Sequence, residues 1–517
     1  MTSPPSLRSP LARAAEALHG LPAPSTYVHA RRLFLRALAA VFLVAFASLA
    51  VQIEGLVGSR GILPAADFLA RARQGLGDAA YWQVPTLAWL DAGDGALRAL
   101  ALAGVVVSAL GVVGLLPLAT AALSWLLYLS LASVGGTFMN FQWDALLLEA
   151  GLLAILLAPP VAWLGRAGHP SGAPWLLARF LLFKLMLLSG AVKLLWHDPT
   201  WLHLTALDYH YWTQPLPAWT SWYAHFAPPW MAWASIRIMF FIELAVPFAF
   251  FGPRRARLFA FVAEVALQLM IAATGNYGFF NLLTIVLCLP LLDDATLLGL
   301  VPRARRPALP ERAPRPAGAL GLVARVAITA VCLPLFALSF AQAIPTLLRG
   351  TELPPFLDET LARLAPLRSI NNYGLFRSMT TERAEIVVEG SDDKTTWKPY
   401  EFKWKPGRLD RAPTFIAPHM PRLDWQMWFA ALSDCDHARW FIAFQRRLLE
   451  GAPAVLGLLE PSPFGDRPPR YLRTRMFQYR FATPAERAAT GEFWRRDLVG
   501  PYCPSLRLDG EKLVKAE

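Results

Sequence analysis

The feature that most constrains this chain is a series of nine apolar runs that fill its first two-thirds. About 20 mostly apolar residues in a helix cross a hydrocarbon core of about 30 Å. The runs are Leu33 to Ile53, Leu97 to Leu116, Pro117 to Gly135, Asp144 to Trp163, Pro174 to Trp196, Trp230 to Phe251, Ala256 to Gly275, Phe279 to Leu300 and Leu320 to Ile344. Only the stretch around Gly114 and Pro117 separates the second from the third, and it reads as a tight hairpin. Fusing the two would leave eight. The predicted fold class is therefore a polytopic α-helical membrane protein of about nine spans with a C-terminal soluble β-rich α+β domain. A composition of 55% hydrophobic and 17% charged residues excludes an ordinary soluble enzyme and a disordered chain alike. Four cysteines in 517 residues exclude a disulfide scaffold.

Charge divides the chain. Residues 1–351 hold 24 Lys and Arg against 15 Asp and Glu, whereas 352–517 hold 25 against 22. The expected domains are a cytoplasmic N-terminal segment over 1–32, a membrane domain over 33–345 and an extracytoplasmic β-rich domain over 352–517, long enough for its own core. The Ser48-Leu49-Ala50 string resembles a signal-peptide cleavage site, but the lead is too long and the apolar run too extended, so the first span reads as retained. The high pI comes from Lys and Arg placed mostly between apolar runs or in the tail, which is a membrane pattern, so no nucleic-acid partner is expected.

Orientation follows from the loops. Arg8, Arg13, Arg31 and Arg32 precede the first span, Arg254, Arg255 and Arg257 lie between the sixth and seventh, and Arg303, Arg305, Arg306, Arg312 and Arg315 follow the eighth. With nine spans these share one side. The other side receives residues 197–229, which contain no Lys or Arg, although Arg60, Arg71 and Arg73 also fall there beside five acids. The positive-inside rule puts the N-terminus in the cytoplasm and the tail outside. The Pro302–Gly318 connector, five prolines among five arginines, reads as stiff and solvated.

In the tail, Glu385 to Glu389, a turn at Gly390 to Asp393, and Thr396 to Lys405 read as strand, turn, strand. Phe477, Tyr479 and Phe481 share a face of a later strand. Trp425 to Leu432 and Ala438 to Leu449 read as helices, the second exposing Arg439, Arg446 and Arg447. Cys435 and Cys503 could pair in an oxidising compartment. Cys288 and Cys332 lie within spans, and no CxxC, GxSxG or Walker A motif occurs.

Ionisable residues inside spans are the first functional suspects. Lys184, Glu243 and Glu264 fall near mid-membrane, where Lys184 is expected to pair with one or both acids. Glu149, Lys193 and Arg237 fall in the outer third. Lys184 and Lys193, nine residues apart, point to opposite faces of one helix. His203, His210 and His225 lie in an aromatic-rich outer loop without ligand spacing, so no metal and no cofactor is expected. Trp425 and Trp428 share a helix face with Arg422 and Asp424 at its start, and should either dock the tail on the membrane domain or bind a partner. Asp424 and His419 otherwise read as packing residues.

Several strings carry a specific likeness: Asn140 to Gly151, Asp198 to Trp201, Thr205 to Pro217, Thr274 to Asn281, Asn372 to Phe376 with Met379 to Arg383, and Pro421 to Trp428. They resemble the lipase maturation factor family over residues 30–500. The resemblance implies a membrane-embedded, chaperone-like factor that helps secreted lipases fold and assemble, located in eukaryotes in the endoplasmic reticulum with its large domain in the lumen. The Ala, Arg and Pro bias points to a bacterial member, with an inner-membrane location and a periplasmic tail. Expected partners are a secreted lipase-like client and membrane lipid. A shorter string, Leu188 to Leu194 followed by Trp201, is similar to the membrane domain of vitamin K-dependent carboxylases, where a Lys at this place is the catalytic base. That likeness implies an alternative, a membrane enzyme acting on a lipid or quinone-like molecule through Lys193, Glu149 and His210. The topology is directly testable: a reporter active only outside the cytoplasm should be active when fused after Gly350 and silent when fused near Pro310, and the reverse pattern would mean an even number of spans.

Overall fold

The apolar runs form helices whose ends are set by a few turn and capping residues. The structure, a computed structural model, describes residues 26–159, 172–302, 319–465 and 467–516. Arg8 and Arg13, most of the Pro302–Gly318 connector with its five arginines, and the end of the fourth run lie outside the described residues. Within them, every predicted span contains a helix: α1 Val28–Ala50, α2 Asp94–Val113, α3 Pro117–Val134, α4 Gln142–Leu157, α5 Gly172–Leu195, α6 Pro229–Leu244, α7 Arg254–Thr274, α8 Phe280–Cys288 and α9 Ala319–Leu347.

Seven of these, all but α4 and α8, are long and apolar enough to cross a membrane, with α6 continuing as a tighter turn to Phe251. The expected length fails at two places. In α4, 16 residues are described, a rise of about 24 Å. After Cys288 the eighth run tightens into a short turn containing Pro290 and then breaks at Asp293, whose carboxylate caps the next turn at Thr296. Both short helices are shielded by protein, with Leu146, Leu147, Leu148 and Leu283 fully buried, so their irregular ends need not face lipid. By contrast α2 exposes Leu102, Val106 and Leu110 at a four-residue spacing, an outward apolar stripe.

The hairpin between α2 and α3 forms as the sequence predicts. Gly114 takes a left-handed conformation (φ 84°), where a Cβ would collide with the Arg36 guanidinium, and Pro117 starts α3. Arg36 donates to the carbonyl of Val113 and satisfies the end of α2.

The two ends of the bundle are chemically distinct. At one end the Asp294 carboxylate accepts the backbone N–H groups of Val28, His29 and Ala30 at 2.8, 2.8 and 3.0 Å, neutralising the positive pole of α1. Arg254 pairs there with Asp293, and Arg179 donates to the carbonyl of Pro290. At the far end of α1, Ser48 and Gln52 contact the tail. The first helix therefore begins at the end opposite the tail.

The tail folds into one antiparallel sheet ordered β2-β1-β3-β4-β5, comprising β1 Arg383–Ser391, β2 Lys398–Tyr400, β3 Tyr471–Phe481, β4 Trp494–Asp509 and β5 Lys512–Lys515. The strand expected from Thr396 to Lys405 shrinks to three residues, because the chain beyond Tyr400 turns away and the N–H groups of Trp404 and Lys405 bond to Asp424 instead of a strand. Phe477, Tyr479 and Phe481 share a buried face with Trp494, as the alternation requires. Helices α10 Arg422–Ala431 and α11 Arg439–Leu449 lie where the sequence places them, α11 with Arg439 and Arg446 exposed and Arg447 half-buried. A disulfide joins Cys435 to Cys503 across 68 residues.

The expectation of a separate tail core needs correction. One continuous set of buried apolar side chains runs from Phe34 and Phe46 in α1 through Phe138 and Trp143 to Trp425, Phe441 and Leu506. At its centre Arg422 donates to both carboxylate oxygens of Asp144 at 2.8 and 3.0 Å and to the carbonyl of Phe138, while Tyr128 also donates to Asp144. Removing one member strands a buried charge. Arg422→Met is expected to destabilise the detergent-solubilised protein by about 3 to 5 kcal/mol in thermal or denaturant unfolding, and Asp144→Leu on top of it to recover much of the loss. Equal stability of Arg422→Met and wild type would contradict this.

Candidate functional site

The polar residues singled out in the sequence meet where the tail sits on the ends of the membrane helices. Lys184 and Lys193 face different neighbours, as their spacing on α5 requires, but the partners differ from those expected. Lys184 pairs with Glu149 at 2.7 Å and donates to Ser339, while Lys193 pairs with Glu243 at 2.7 and 3.0 Å. Residue counting along each run does not contain the relative heights of the helices, so it could not name these partners. Glu264 is fully buried and neither of its oxygens has a hydrogen-bond partner among the described residues. Arg237 is exposed and stacks on Trp233, with the guanidinium 3.4 Å from the ring centre.

The Lys184–Glu149 pair is completed by the tail. Tyr373 donates to Glu149 at 2.7 Å, and the Asn371 backbone and side-chain N–H groups both donate at 3.1 Å. A buried ion pair is tolerated when its remaining lone pairs are filled in this way. The Asn372 to Phe376 string thus lies against helices whose sequence lies more than 200 residues earlier.

Of the four residues expected to dock the tail or to bind a partner, Arg422 and Trp425 meet the membrane domain, Asp424 holds a neighbouring segment of the tail, and Trp428 stays partly exposed. Arg422, Asp424 and Trp425 are buried, so they form no open surface. Arg422 holds Asp144, Asp424 accepts the N–H groups of Trp404 and Lys405 at 2.9 Å, and Trp425 packs edge-on against Trp143, centroids 4.8 Å apart. Burial pushes the Asp424 carboxyl up to about 6 against those hydrogen bonds. Only Trp428 of the four keeps partial exposure, and its indole donates to the carbonyl of Thr213. His419 bonds to Ser48, a packing role as expected.

Sequence reasoning missed further anchors that carry no charge or sit at strand ends. Gln52 donates to the carbonyl of Met420 and accepts the N–H of Arg422, both at 2.9 Å. Asn276 donates to the carbonyl of Thr414 and accepts from Ile416. The Arg383 guanidinium is buried against carbonyls of Trp212, Gln214 and Pro215. The signal available was the unusual polarity of Asn276 and Gln214 within otherwise apolar or turn-forming strings.

Among the described residues no hydrogen bond or ion pair joins Lys193, Glu149 and His210 to one another. Each of the two charges belongs to its own pair, and the His210 ring bonds to Tyr277 at 3.0 Å, whose hydroxyl donates to Gln214. Among the described residues no group of three His, Cys, Asp or Glu side chains is placed to hold a metal ion. Between the pair Lys193–Glu243 and the tail lies a cavity of about 400 Å³, lined by α5, α7 and α8 below and by Trp425, Trp428 and Phe429 above.

Burial, and secondarily the charge of Lys193, lowers His210 to about 4. A histidine held neutral stabilises the fold above its unfolded pKa, near 6.5, and this contribution is lost as pH falls through about 4; Asp424, raised to about 6, has the opposite slope. His210→Gln is therefore expected to make thermal stability less acid-sensitive between pH 6.5 and 4, by at most about 3 kcal/mol because the residue keeps partial solvent exposure. Parallel pH profiles of variant and wild type would contradict it.

Comparison with known proteins follows the same division of the chain. The model of the lipase maturation factor transmembrane domain matches residues 29–299, and that of the lipase maturation factor C-terminal domain matches 369–504. Lipase maturation factor 2 of Homo sapiens is 38% identical over 92% of this chain and 82% of its own length. Lipase maturation factor 1 of Bos taurus is 37% identical over 93% of this chain and 89% of its own, and that of Homo sapiens is 35% identical over 94% and 89%. No solved structure matches. A chain that matches both domains in order, at this identity and over nearly its whole length, belongs to the lipase maturation factor family.

Proposed function

We propose that this chain is a membrane-embedded, chaperone-like maturation factor for exported lipases or similar secreted clients, working on the side of the membrane where its tail lies. The observation that carries the reading is membership of the family in both halves of the chain. The relatives are named for lipase maturation, and the likeness extends through the tail as well as the membrane helices. Three features support an extracytoplasmic tail and a cytoplasmic residue-26 end. The tail sits at the end of the bundle opposite Val28, the loop 197–229 without Lys or Arg lies against the tail, and the Cys435–Cys503 disulfide suits an oxidising compartment.

The client surface belongs to the part of α10 left uncovered by docking. Trp428 is half-buried, and Phe429 and, just past the helix, Leu432 are exposed. An apolar edge of this kind beside polar rims is where a partially folded client would bind. The enzymatic alternative through Lys193, Glu149 and His210 gains nothing from the geometry, because the three are held by separate partners.

The test is complementation in cells lacking this protein, with secreted lipase activity as readout. Phe429→Ser combined with Leu432→Ser is expected to leave the melting temperature unchanged and to lower lipase activity about tenfold, as loss of an interface hot spot does. Lys193→Met combined with Glu243→Gln removes both charges of a buried pair together and is expected to preserve maturation. An inserted, stable but inactive Lys193→Met/Glu243→Gln protein would instead favour chemistry at that pair.

A further inference from the structure

We propose that the cavity between the outer ends of α5, α7 and α8 and the tail is a binding site for a neutral acylglycerol, with its glycerol ester end held by Gln268 and Asn281. The inference concerns a ligand of the factor itself and does not depend on which client it serves. Cavities of this size with apolar walls and a few convergent polar groups bind small amphiphiles. Here Leu185, Met186, Ile271 and Phe280 supply an apolar wall that faces the membrane helices, and Trp425 closes the side toward the tail.

The polar groups select the head. Lys193, the buried cation on the lining, donates to Glu243 at 2.7 and 3.0 Å and to the carbonyl of Ser189 at 3.1 Å, so its three protons are used and the pair is neutral as a whole. Among the described residues, no unpaired charge in the interior of the cavity balances an ionised head group. Gln268 and Asn281 are different. Both are buried, they bond to each other at 2.9 Å, and among the described residues the Gln268 amide nitrogen and the Asn281 amide oxygen have no other partner. The couple therefore offers a spare donor beside a spare acceptor, whichever way the two amides are turned. An ester carbonyl accepts from the first and a glycerol hydroxyl donates to the second. Arg377 is the charged residue at the exposed rim, beside the Trp196 ring, outside this neutral interior.

The experiment uses the full chain in nanodiscs of zwitterionic phospholipid with a monoacylglycerol carrying a photoactivatable group in its acyl chain. Adducts are expected on α7, α8 or the Trp425 to Phe429 segment of the wild-type protein. Unlabelled monoacylglycerol should compete, with a fatty acid and a lysophospholipid about tenfold weaker. Filling the cavity with Ile271→Trp, or removing the amides with Gln268→Leu and Asn281→Leu together, should lower labelling about tenfold, the effect of losing one or two hydrogen bonds to a buried group. Adducts mapping elsewhere on the wild-type protein, undiminished labelling in a folded Ile271→Trp variant, or equal competition by the fatty acid or the lysophospholipid would overturn the assignment. The wild-type map and the competition series decide the matter even where a variant fails to insert.

Discussion

Asp144 and Arg422 are separated by 278 residues and both are sealed from solvent. Neither charge could be buried alone, since an unpaired ion in such a place costs several kcal/mol, so the start of α4 and the start of α10 must form their final structure together. Much of the molecule depends on that coupling. The N–H of Arg422 is taken by Gln52 at the end of α1, the next turn of α10 sets Trp425 against Trp143, and Asp424 holds the segment that follows β2. The tail is thereby an integral layer of the membrane domain, with a shared core, even though its composition is that of a soluble protein.

The same logic explains the charges within the helices. Lys184 and Lys193 occupy opposite faces of α5, each neutralised by a carboxylate from a different helix, and each satisfied further by hydroxyl or carbonyl groups. Such pairs lock helix register, because sliding either helix by one turn would separate them by about 5.4 Å. The Lys184 pair is also completed by Tyr373 and Asn371, so tail docking and helix packing reinforce one another. Between these locked elements the cavity beside Lys193 persists, since rigid ion pairs and aromatic packing on its walls prevent collapse around Gln268 and Asn281. For a maturation factor this arrangement joins a rigid membrane base to an exposed apolar edge at Phe429 and Leu432.

The sequence by itself determined what depends on local chemistry. Apolar length placed nine helices, Gly114 and Pro117 placed the hairpin, period-two alternation placed Phe477, Tyr479 and Phe481 on one face, and helical spacing set Lys184 and Lys193 apart. Long polar strings such as Asn140 to Gly151 and Pro421 to Trp428 carried the family likeness. What the tertiary structure alone decided is pairing. Whether Lys184 met Glu149 or Glu243 depended on how the helices are set against one another, which residue counting does not contain. That Arg422, Asp424 and Trp425 face inward, and that Asn276, Gln52 and Arg383 anchor the tail, depended on which distant backbone carbonyls and carboxylates came within reach. A side chain's hydrogen-bonding capacity is written in its residue type, but its partner is fixed only when segments hundreds of residues apart are brought together, because an unmet polar group is costly only where packing has excluded water.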